Sequence, residues 1–113
     1  MTMRLKAATD ANQADIAKAL RAAGCQVQSL HQLGGGVPDL LVGRACCADH
    51  ANGRIAKTQP SVRLWLLEVK DGSKPPSARK LTPDQVEWHK LWWGAPIVVC
   101  SVEEALRAVG LIP

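Results

Sequence analysis

Several residue types are scarce or missing in this 113-residue sequence, and their absence excludes some classes of protein. It has no tyrosine or phenylalanine, so its four tryptophans are the only aromatic residues available to a core. No apolar run approaches the roughly 20 residues that cross a bilayer, and the N-terminus has no apolar signal core. The sequence therefore predicts a cytoplasmic protein with no membrane partner.

The cysteines of a cytoplasmic protein are expected to stay reduced. Adjacent Cys46 and Cys47, followed by His50, look like part of a zinc site. The other two cysteines, Cys25 and Cys100, lie in apolar runs, where thiols pack as small hydrophobes. We therefore predict no zinc site.

The bulk composition fits one globular α/β domain over residues 1–113. Apolar residues make up 47% of the chain, enough for a real core at this length. The net charge is +4 and the sequence pI is about 9.1. This mild excess of positive charge permits a polyanionic partner without identifying one.

Charged residues interrupt two apolar runs, and this is the most informative pattern in the chain. Gly36-Val37-Pro38-Asp39 opens one run, and Leu67-Glu68-Val69-Lys70 closes the other. Because strand side chains alternate, Glu68 and Lys70 share a face. Ionised groups on a half-buried strand cost several kcal/mol unless they are paired, on the order of other buried charges. A divalent cation bound by Asp39 and Glu68 would offset that cost.

Hydrophobic periodicity and turn residues predict the order helix, three strands, helix, strand, helix. The predicted elements are a helix from Thr9 or Asp10 to Ala23, strands at Cys25–Leu30, from Asp39 and at Val62–Lys70, a helix from Thr82 to about Trp93, a strand at Ile97–Cys100, and a helix from Ser101 to Gly110. We expect a long loop or hairpin from Gly43 to Pro60, with a turn at Asn52-Gly53. A small mixed sheet flanked by helices follows from this order.

The second helix has a clear start signal. Thr82 can cap it, Pro83 fits its first turn, and Gln85 completes a capping box with Thr82. Leu81 and Val86 are placed to form a hydrophobic staple.

This element order, together with Pro38-Asp39 and Glu68-Val69-Lys70, resembles the PD-(D/E)XK nuclease superfamily. The closest resemblance is to its small VRR-NUC-like domains, which occur in phages and prophages. The resemblance extends from Asp10 to Glu104 and implies a restriction-endonuclease-like αβββαβ core. It also implies a phage- or prophage-encoded protein that acts in a bacterial host cell.

The resemblance also implies roles for individual residues. Asp39 and Glu68 would ligate Mg²⁺ or Mn²⁺, and the backbone carbonyl of Val69 would complete an all-oxygen set. Lys70 would hold or polarise the attacking water, and Gln85 matches a helix glutamine near the site. Many members add a first-helix glutamate.

This chain departs from the family pattern on its first helix. The candidates there are Asn12, Gln13 and Asp15, of which Gln13 fits best by position. None of the three is a glutamate, which puts a second metal ion in question.

A basic segment follows the Glu68 strand and could contact nucleic acid. Lys74, Arg79 and Lys80 lie in a proline-containing loop, where they could follow a phosphate backbone. The alternative is a solvated loop without a partner.

Other residues also have ordinary structural explanations. Glu68 and Lys70 could form an exposed ion pair, and Gln85 could act only as a cap. For the tryptophans of the second helix (Trp88, Trp92 and Trp93), core packing or subunit contact is favoured over base stacking. The histidines (His31, His50 and His89) are interpreted as surface or loop groups.

Taken together, the patterns predict a Mg²⁺- or Mn²⁺-dependent DNA endonuclease that acts on duplex or branched DNA. A homodimer would supply two sites on a duplex. One alternative is a DNA-binding module that kept the fold and lost turnover. The other is a phage interaction protein that uses the tryptophan face.

Overall fold

Helices and strands follow one another in the predicted order. The computed structural model describes residues 11–46 and 61–113, and of Ala11 and Cys46 only the backbone. The elements are α1 (Ala11–Ala22), β1 (Gln26–Ser29), β2 (Leu40–Cys46), β3 (Ser61–Val69), α2 (Pro83–Leu91), β4 (Ile97–Val99) and α3 (Val102–Ala108). Two short 3₁₀ helices, His31–Leu33 and Pro76–Arg79, lie in the connections. The prediction of an α/β fold with a small mixed sheet and flanking helices is confirmed.

The four described strands form one sheet in the order β1-β2-β3-β4. β2 pairs antiparallel with both β1 and β3, whereas β4 runs parallel to β3. A parallel pair needs a crossover connection, and α2 provides it here. As a result α2 runs back along β3, and side chains of α2 reach residues at the C-terminal end of β3.

One face of the sheet packs against α1 and α3 to form the core. Alternate residues of the two central strands point to this face, as a period of two requires. Ile16 and Leu20 lie one turn apart on α1, and both are 0% exposed. Burying one such side chain contributes roughly 1.5–3 kcal/mol. The buried apolar set from the sheet and α3 is Leu40, Val42, Leu67, Val69, Val99, Ala105 and Val109.

The opposite face of β3 is closed only near its C-terminal end. Leu64, Leu66 and Glu68 are alternate residues of β3 and lie on this face. Leu64 is 65% exposed and Leu66 is intermediate, whereas Glu68 is 1% exposed. The buried part of this face therefore holds a carboxylate.

The capping box predicted for α2 is present. The Thr82 hydroxyl accepts the Gln85 backbone N–H, and the Gln85 side chain accepts the Thr82 N–H, with Pro83 at the first helical position. The helix ends at Leu91, two residues before the predicted end. Trp92 already has extended backbone angles, and its ring stacks on Trp88 with centroids 4.8 Å apart.

For the tryptophans of α2, the sequence favoured core packing or subunit contact, and core packing is wrong for two of them. Trp93 is fully exposed and Trp92 is 50% exposed, while Trp88 is intermediate. The early end of α2 explains the difference, because residues beyond Leu91 leave the helix face that meets the sheet. Trp65 of β3 is the tryptophan that packs against the core.

The long loop or hairpin predicted from Gly43 to Pro60 starts with strand residues, and its part from 47 to 60 lies outside the described residues. Gly43 to Cys46 continue β2 and pair with Leu64 to Ser61 of β3. Long-range pairing with β3 overrides the weak strand propensity of glycine and the polar composition. Thr9, Asp10, Cys47, His50 and the Asn52-Gly53 turn lie outside the described residues.

Two further features of the described residues bear on the predictions. The strand predicted at Ile97–Cys100 was expected to be buried throughout, but Val98 of β4 points away from the core and is 40% exposed. The longest described helix, α1, has 12 residues, and no helix in ranges 11–46 and 61–113 has the length and apolarity to cross a bilayer.

A glycine fixes where the start of α2 meets the sheet. Gly36 has a φ of +87°, and a Cβ built on it would lie 2.3 Å from the Asp84 carbonyl oxygen. Only a glycine allows the Gly36 backbone to approach α2 so closely. Gly35 has a similar φ of +66°, but a Cβ built on it would meet nothing within 4 Å.

We predict that Gly36→Ala destabilises the protein far more than Gly35→Ala. Gly35→Ala should cost roughly 1–2 kcal/mol, because alanine is strained at positive φ. Gly36→Ala adds a backbone clash and should cost several kcal/mol, on the order of other severe backbone effects. Urea denaturation of both variants measures the difference. Equal losses would mean that the contact with Asp84 does not constrain α2.

Candidate functional site

The register of β2 and β3 brings the two predicted carboxylates together. Leu40 pairs with Leu67, which brings Asp39, the residue just before β2, beside Glu68, the residue after Leu67. Asp39 Oδ2 accepts the Val69 backbone N–H at 2.8 Å, which anchors the carboxylate against β3. Its own N–H donates to the Leu67 carbonyl oxygen at 3.0 Å. Residues from two separate motifs thus share one site.

Glu68 is the most buried ionisable residue of this site. Its Oε2 accepts a hydrogen bond from Gln85 Nε2 at 3.0 Å. Its Oε1 is closed to solvent and has no hydrogen-bond partner among the described residues. A buried acceptor left without a donor costs about 1–3 kcal/mol, and more when it is charged. Glu68 Oε1 is therefore an acceptor that the fold does not satisfy by itself.

Burial and the neighbouring carboxylate alter the acidity of Glu68. The pKa of Glu68 is raised from 4.5 to about 8, mainly by desolvation and further by the neighbouring Asp39 carboxylate. The positive charge of Lys70 lowers it and only partly compensates. Glu68 therefore resists ionisation beside Asp39 unless more positive charge is supplied.

Gln85 connects the Glu68 carboxylate with the Lys70 ammonium group. Its Oε1 accepts from Lys70 Nζ at 2.8 Å and from the Thr82 backbone N–H at 2.8 Å, while its Nε2 donates to Glu68. The sequence left open whether Gln85 caps the helix or serves the site. The same side chain does both, because the first turn of α2 lies over the end of β3.

Lys70 lies just beyond β3, where its backbone is held from another element. Asn12 Nδ2 of α1 donates to the Lys70 carbonyl oxygen at 2.7 Å and to that of Cys100 at 3.2 Å. The Lys70 N–H donates to the Val99 carbonyl oxygen. Asn12 thus joins the C-terminal ends of β3 and β4. Gln13, the favoured first-helix candidate, is buried at 7% exposure.

The prediction that His89 is a surface or loop group is wrong. His89 lies one turn after Gln85 on α2, and its Nε2 is 3.7 Å from Glu68 Oε1. That nitrogen is closed to solvent and has no hydrogen-bond partner in the described part of the chain. Desolvation, followed by the charge of Lys70, lowers the pKa of His89. Its spacing of four from Gln85 was the sequence signal that could have revealed it.

The predicted ligand Val69 is oriented by its contact with Asp39. The N–H and the C=O of one strand residue leave the strand on the same side. Because the Val69 N–H points to Asp39, its carbonyl oxygen also faces the side of β3 on which Asp39 lies. Among the described residues, no three His, Cys, Asp or Glu side chains are grouped as a metal centre. The oxygen atoms available to a cation are those of the Asp39 and Glu68 carboxylates and of the Val69 carbonyl.

The three basic residues after β3 differ in their surroundings. Lys74 and Lys80 are exposed, whereas Arg79 is intermediate in exposure and ends the 3₁₀ helix Pro76–Arg79. Arg79 Nη1 lies 4.0 Å from Cys100 Sγ, in an open cleft of about 520 Å³. Lys74 and Lys80 are therefore accessible to a polyanion, whereas the Arg79 side chain points inward.

No family model matches the chain, and neither a curated protein nor a solved structure matches it at a significant level. The resemblance to the PD-(D/E)XK superfamily therefore stays a prediction. What supports a function is the geometry of Asp39, Glu68, Lys70 and Gln85.

We predict that Glu68 makes the cation-free protein less stable as the pH rises. The unfolded carboxyl ionises near 4.5 and the folded one near 8, so the folded state keeps a proton between these values. The stability that this proton contributes is complete below the lower value and is lost as pH rises toward the upper one, at up to about 1.4 kcal/mol per pH unit. Urea denaturation in EDTA should show wild type losing stability relative to Glu68→Gln across this window.

The matched control is Glu103→Gln, which removes an exposed glutamate of α3 that pairs with Arg107. This variant should keep the wild-type pH profile. A difference between wild type and Glu68→Gln that does not change with pH would contradict the raised pKa.

Proposed function

We propose that this protein is a metal-dependent DNA endonuclease with a restriction-endonuclease-like αβββαβ core. The observation that carries the proposal is the closed carboxylate of Glu68, which faces Asp39 and is linked through Gln85 to Lys70. Metal-assisted phosphodiester hydrolysis uses clustered negative ligands that hold a cation, and a fixed positive group beside them can stabilise charge on the phosphate. The observed order of α1, β1 to β3, α2 and β4 supports the same core.

The residues of the site fit a hard divalent cation such as Mg²⁺ or Mn²⁺. Asp39 and Glu68 offer carboxylate oxygens, Val69 offers a carbonyl oxygen, and Glu68 Oε1 has no protein donor in the described ranges. Such cations prefer oxygen ligands of this kind. A cation there would also offset the repulsion that raises the pKa of Glu68. When bound, it would activate a water and stabilise charge on the phosphate.

The protein's own groups would orient the reacting atoms. The Val69 N–H binds one oxygen of Asp39, and Gln85 Nε2 binds one oxygen of Glu68, so each carboxylate is held by a donor of the fold. Gln85 Oε1 holds the Lys70 ammonium close to the carboxylates without a direct ion pair. From there, Lys70 Nζ can donate to the attacking water or to a phosphate oxygen. Preorganised charge of this kind is usually a large term in catalysis.

Duplex or branched DNA is the proposed substrate, and Lys74 and Lys80 are the proposed backbone contacts. Both lysines are exposed and follow the end of β3, where Lys70 lies. A domain of this size covers little of a duplex, so a homodimer with two sites is part of the proposal.

One observation favours a second candidate, a nuclease-fold module that binds DNA without turnover. The first helix offers amides rather than a glutamate, and Asn12 is already committed to the carbonyls of Lys70 and Cys100. That helix therefore adds less negative charge for a second cation. This candidate predicts DNA binding without cation-stimulated cleavage.

We predict that wild type cuts DNA with Mg²⁺ or Mn²⁺ and that EDTA stops the cutting. Glu68→Gln and Lys70→Met should each lower the rate by about a hundredfold to a thousandfold, as loss of other electrostatic stabilisers does. Assays on plasmid, linear and four-way-junction DNA measure the effect and show the preferred substrate.

Glu103→Gln and Lys18→Met serve as controls, since both remove exposed charges from helix surfaces. Cutting that persists in Glu68→Gln would point to a contaminating nuclease. If wild type binds DNA at low salt and cuts none of the three substrates, the second candidate function replaces the first.

We predict that the exposed lysines after β3 contribute to the salt dependence of DNA binding. Each phosphate contact releases counterions, so Lys74→Ala and Lys80→Ala should each lower the slope of log affinity against log salt by about 0.9. Binding titrations in EDTA, which prevents cleavage, measure the slope. Lys18→Ala on α1 should leave it unchanged, and an unchanged slope in all three variants would remove this segment from the interface.

A further inference from the structure

Two buried polar atoms face each other across the site, and both are unpaired. Glu68 Oε1 and His89 Nε2 are 3.7 Å apart, closed to solvent and without hydrogen-bond partners among the described residues. Direct hydrogen bonds are shorter, at about 2.7–3.2 Å. Burying one polar atom without a hydrogen-bond partner destabilises the folded state, and this site buries two such atoms next to each other.

The separation of these atoms suits two ligands of one metal ion. Transition-metal ions bind imidazole nitrogen and carboxylate oxygen at about 2.0–2.2 Å, so two ligands of one ion lie at most about 4.2 Å apart. The observed 3.7 Å falls within that limit. An ion between the two atoms would satisfy both without a rearrangement of the backbone.

The position of His89 is fixed by the same helix that fixes Gln85. The capping box and Pro83 define the start of α2, and the stacked rings of Trp88 and Trp92 flank His89 at its end. Gln85 contacts Glu68 at Oε2, and His89, one turn later, faces Oε1. The two side chains of α2 thus lie at opposite oxygens of one carboxylate.

We propose that His89 is a nitrogen ligand of the cation site and makes it select first-row transition ions over Mg²⁺. This inference rests on the proposed metal site and adds the ion class that the site prefers. Mg²⁺ favours oxygen ligands, whereas imidazole nitrogen suits transition ions, whose affinities rise from Mn²⁺ to Co²⁺. Asp39, Glu68 and His89 are not preassembled as a triad, so binding would draw the side chains together around the ion.

The test is calorimetric titration of the intact chain with Co²⁺, Mn²⁺ and Mg²⁺, without DNA. Wild type should bind Co²⁺ and Mn²⁺ more tightly than Mg²⁺. His89→Gln should weaken Co²⁺ binding by about tenfold or more, a usual effect for groups that support a metal site, and change Mg²⁺ binding little. His31→Gln, which alters a histidine of the His31–Leu33 turn, should have no effect on any of the ions.

A second readout does not depend on a variant. Histidine ligation in the Co²⁺-loaded wild-type protein should give a strongly shifted, exchangeable imidazole N–H signal in proton NMR. Absence of that signal, or equal losses of Co²⁺ and Mg²⁺ affinity in His89→Gln, would overturn the role of His89 as a ligand.

Failure of the inference and failure of the proposed function give different results. If wild type binds the ions, Glu68→Gln does not, and His89→Gln binds like wild type, the carboxylate site stands and His89 is excluded from it. If wild type binds none of the three ions, or Glu68→Gln binds them as wild type does, both proposals fall.

Discussion

Burial of the Glu68 carboxylate against Asp39 is the constraint on which the site depends. Burial removes the Glu68 carboxylate from water and places it beside a second acid, and both effects, desolvation first, raise the pKa of Glu68. The neighbouring groups limit the cost of this burial: the Val69 N–H binds Asp39, Gln85 binds Glu68, and Lys70 supplies positive charge. The fold retains this unfavourable pair by surrounding it with donors. Such arrangements are typical of functional sites rather than of structural cores.

Several residues of the site also hold the fold together, which limits how the site can vary. Gln85 completes the capping box of α2 while it links Lys70 to Glu68. Asn12 joins the ends of β3 and β4 and so fixes the backbone of Lys70. Gly36 allows the loop before Asp39 to approach the first turn of α2. A change at any of these positions would alter stability and site geometry together, so the two effects must be measured separately.

The sheet uses its two faces differently. One face packs against α1 and α3 and carries the apolar core. The other is covered only in part, with Glu68 buried and Leu64 exposed on the same strand. The core face keeps β2 and β3 in register, and that register places Asp39 beside Glu68. Apolar packing on one side of the sheet thus positions the charged groups on the other.

The sequence alone determined the elements whose signals are local. Thr82, Pro83 and Gln85 define the start of α2 within a few residues, and Ser101 caps α3 as predicted. The alternation of β3 correctly placed Glu68 and Lys70 on one face, because a strand's period of two depends only on its own residues. The two motifs that carry Asp39 and Glu68 could also be recognised from the sequence, because each places a charged residue in an apolar run.

Only the tertiary structure decided the contacts between distant segments. The register of β2 and β3 brings Asp39 beside Glu68, although the two residues belong to separate motifs, and pairing also extended β2 through Cys46. The position of α2 over β3 brought His89 to Glu68 and left Trp92 and Trp93 exposed. Helical spacing shows which residues share a face of α2, but not which part of the sheet that face meets. That choice depends on packing of the whole chain, which local sequence patterns do not encode.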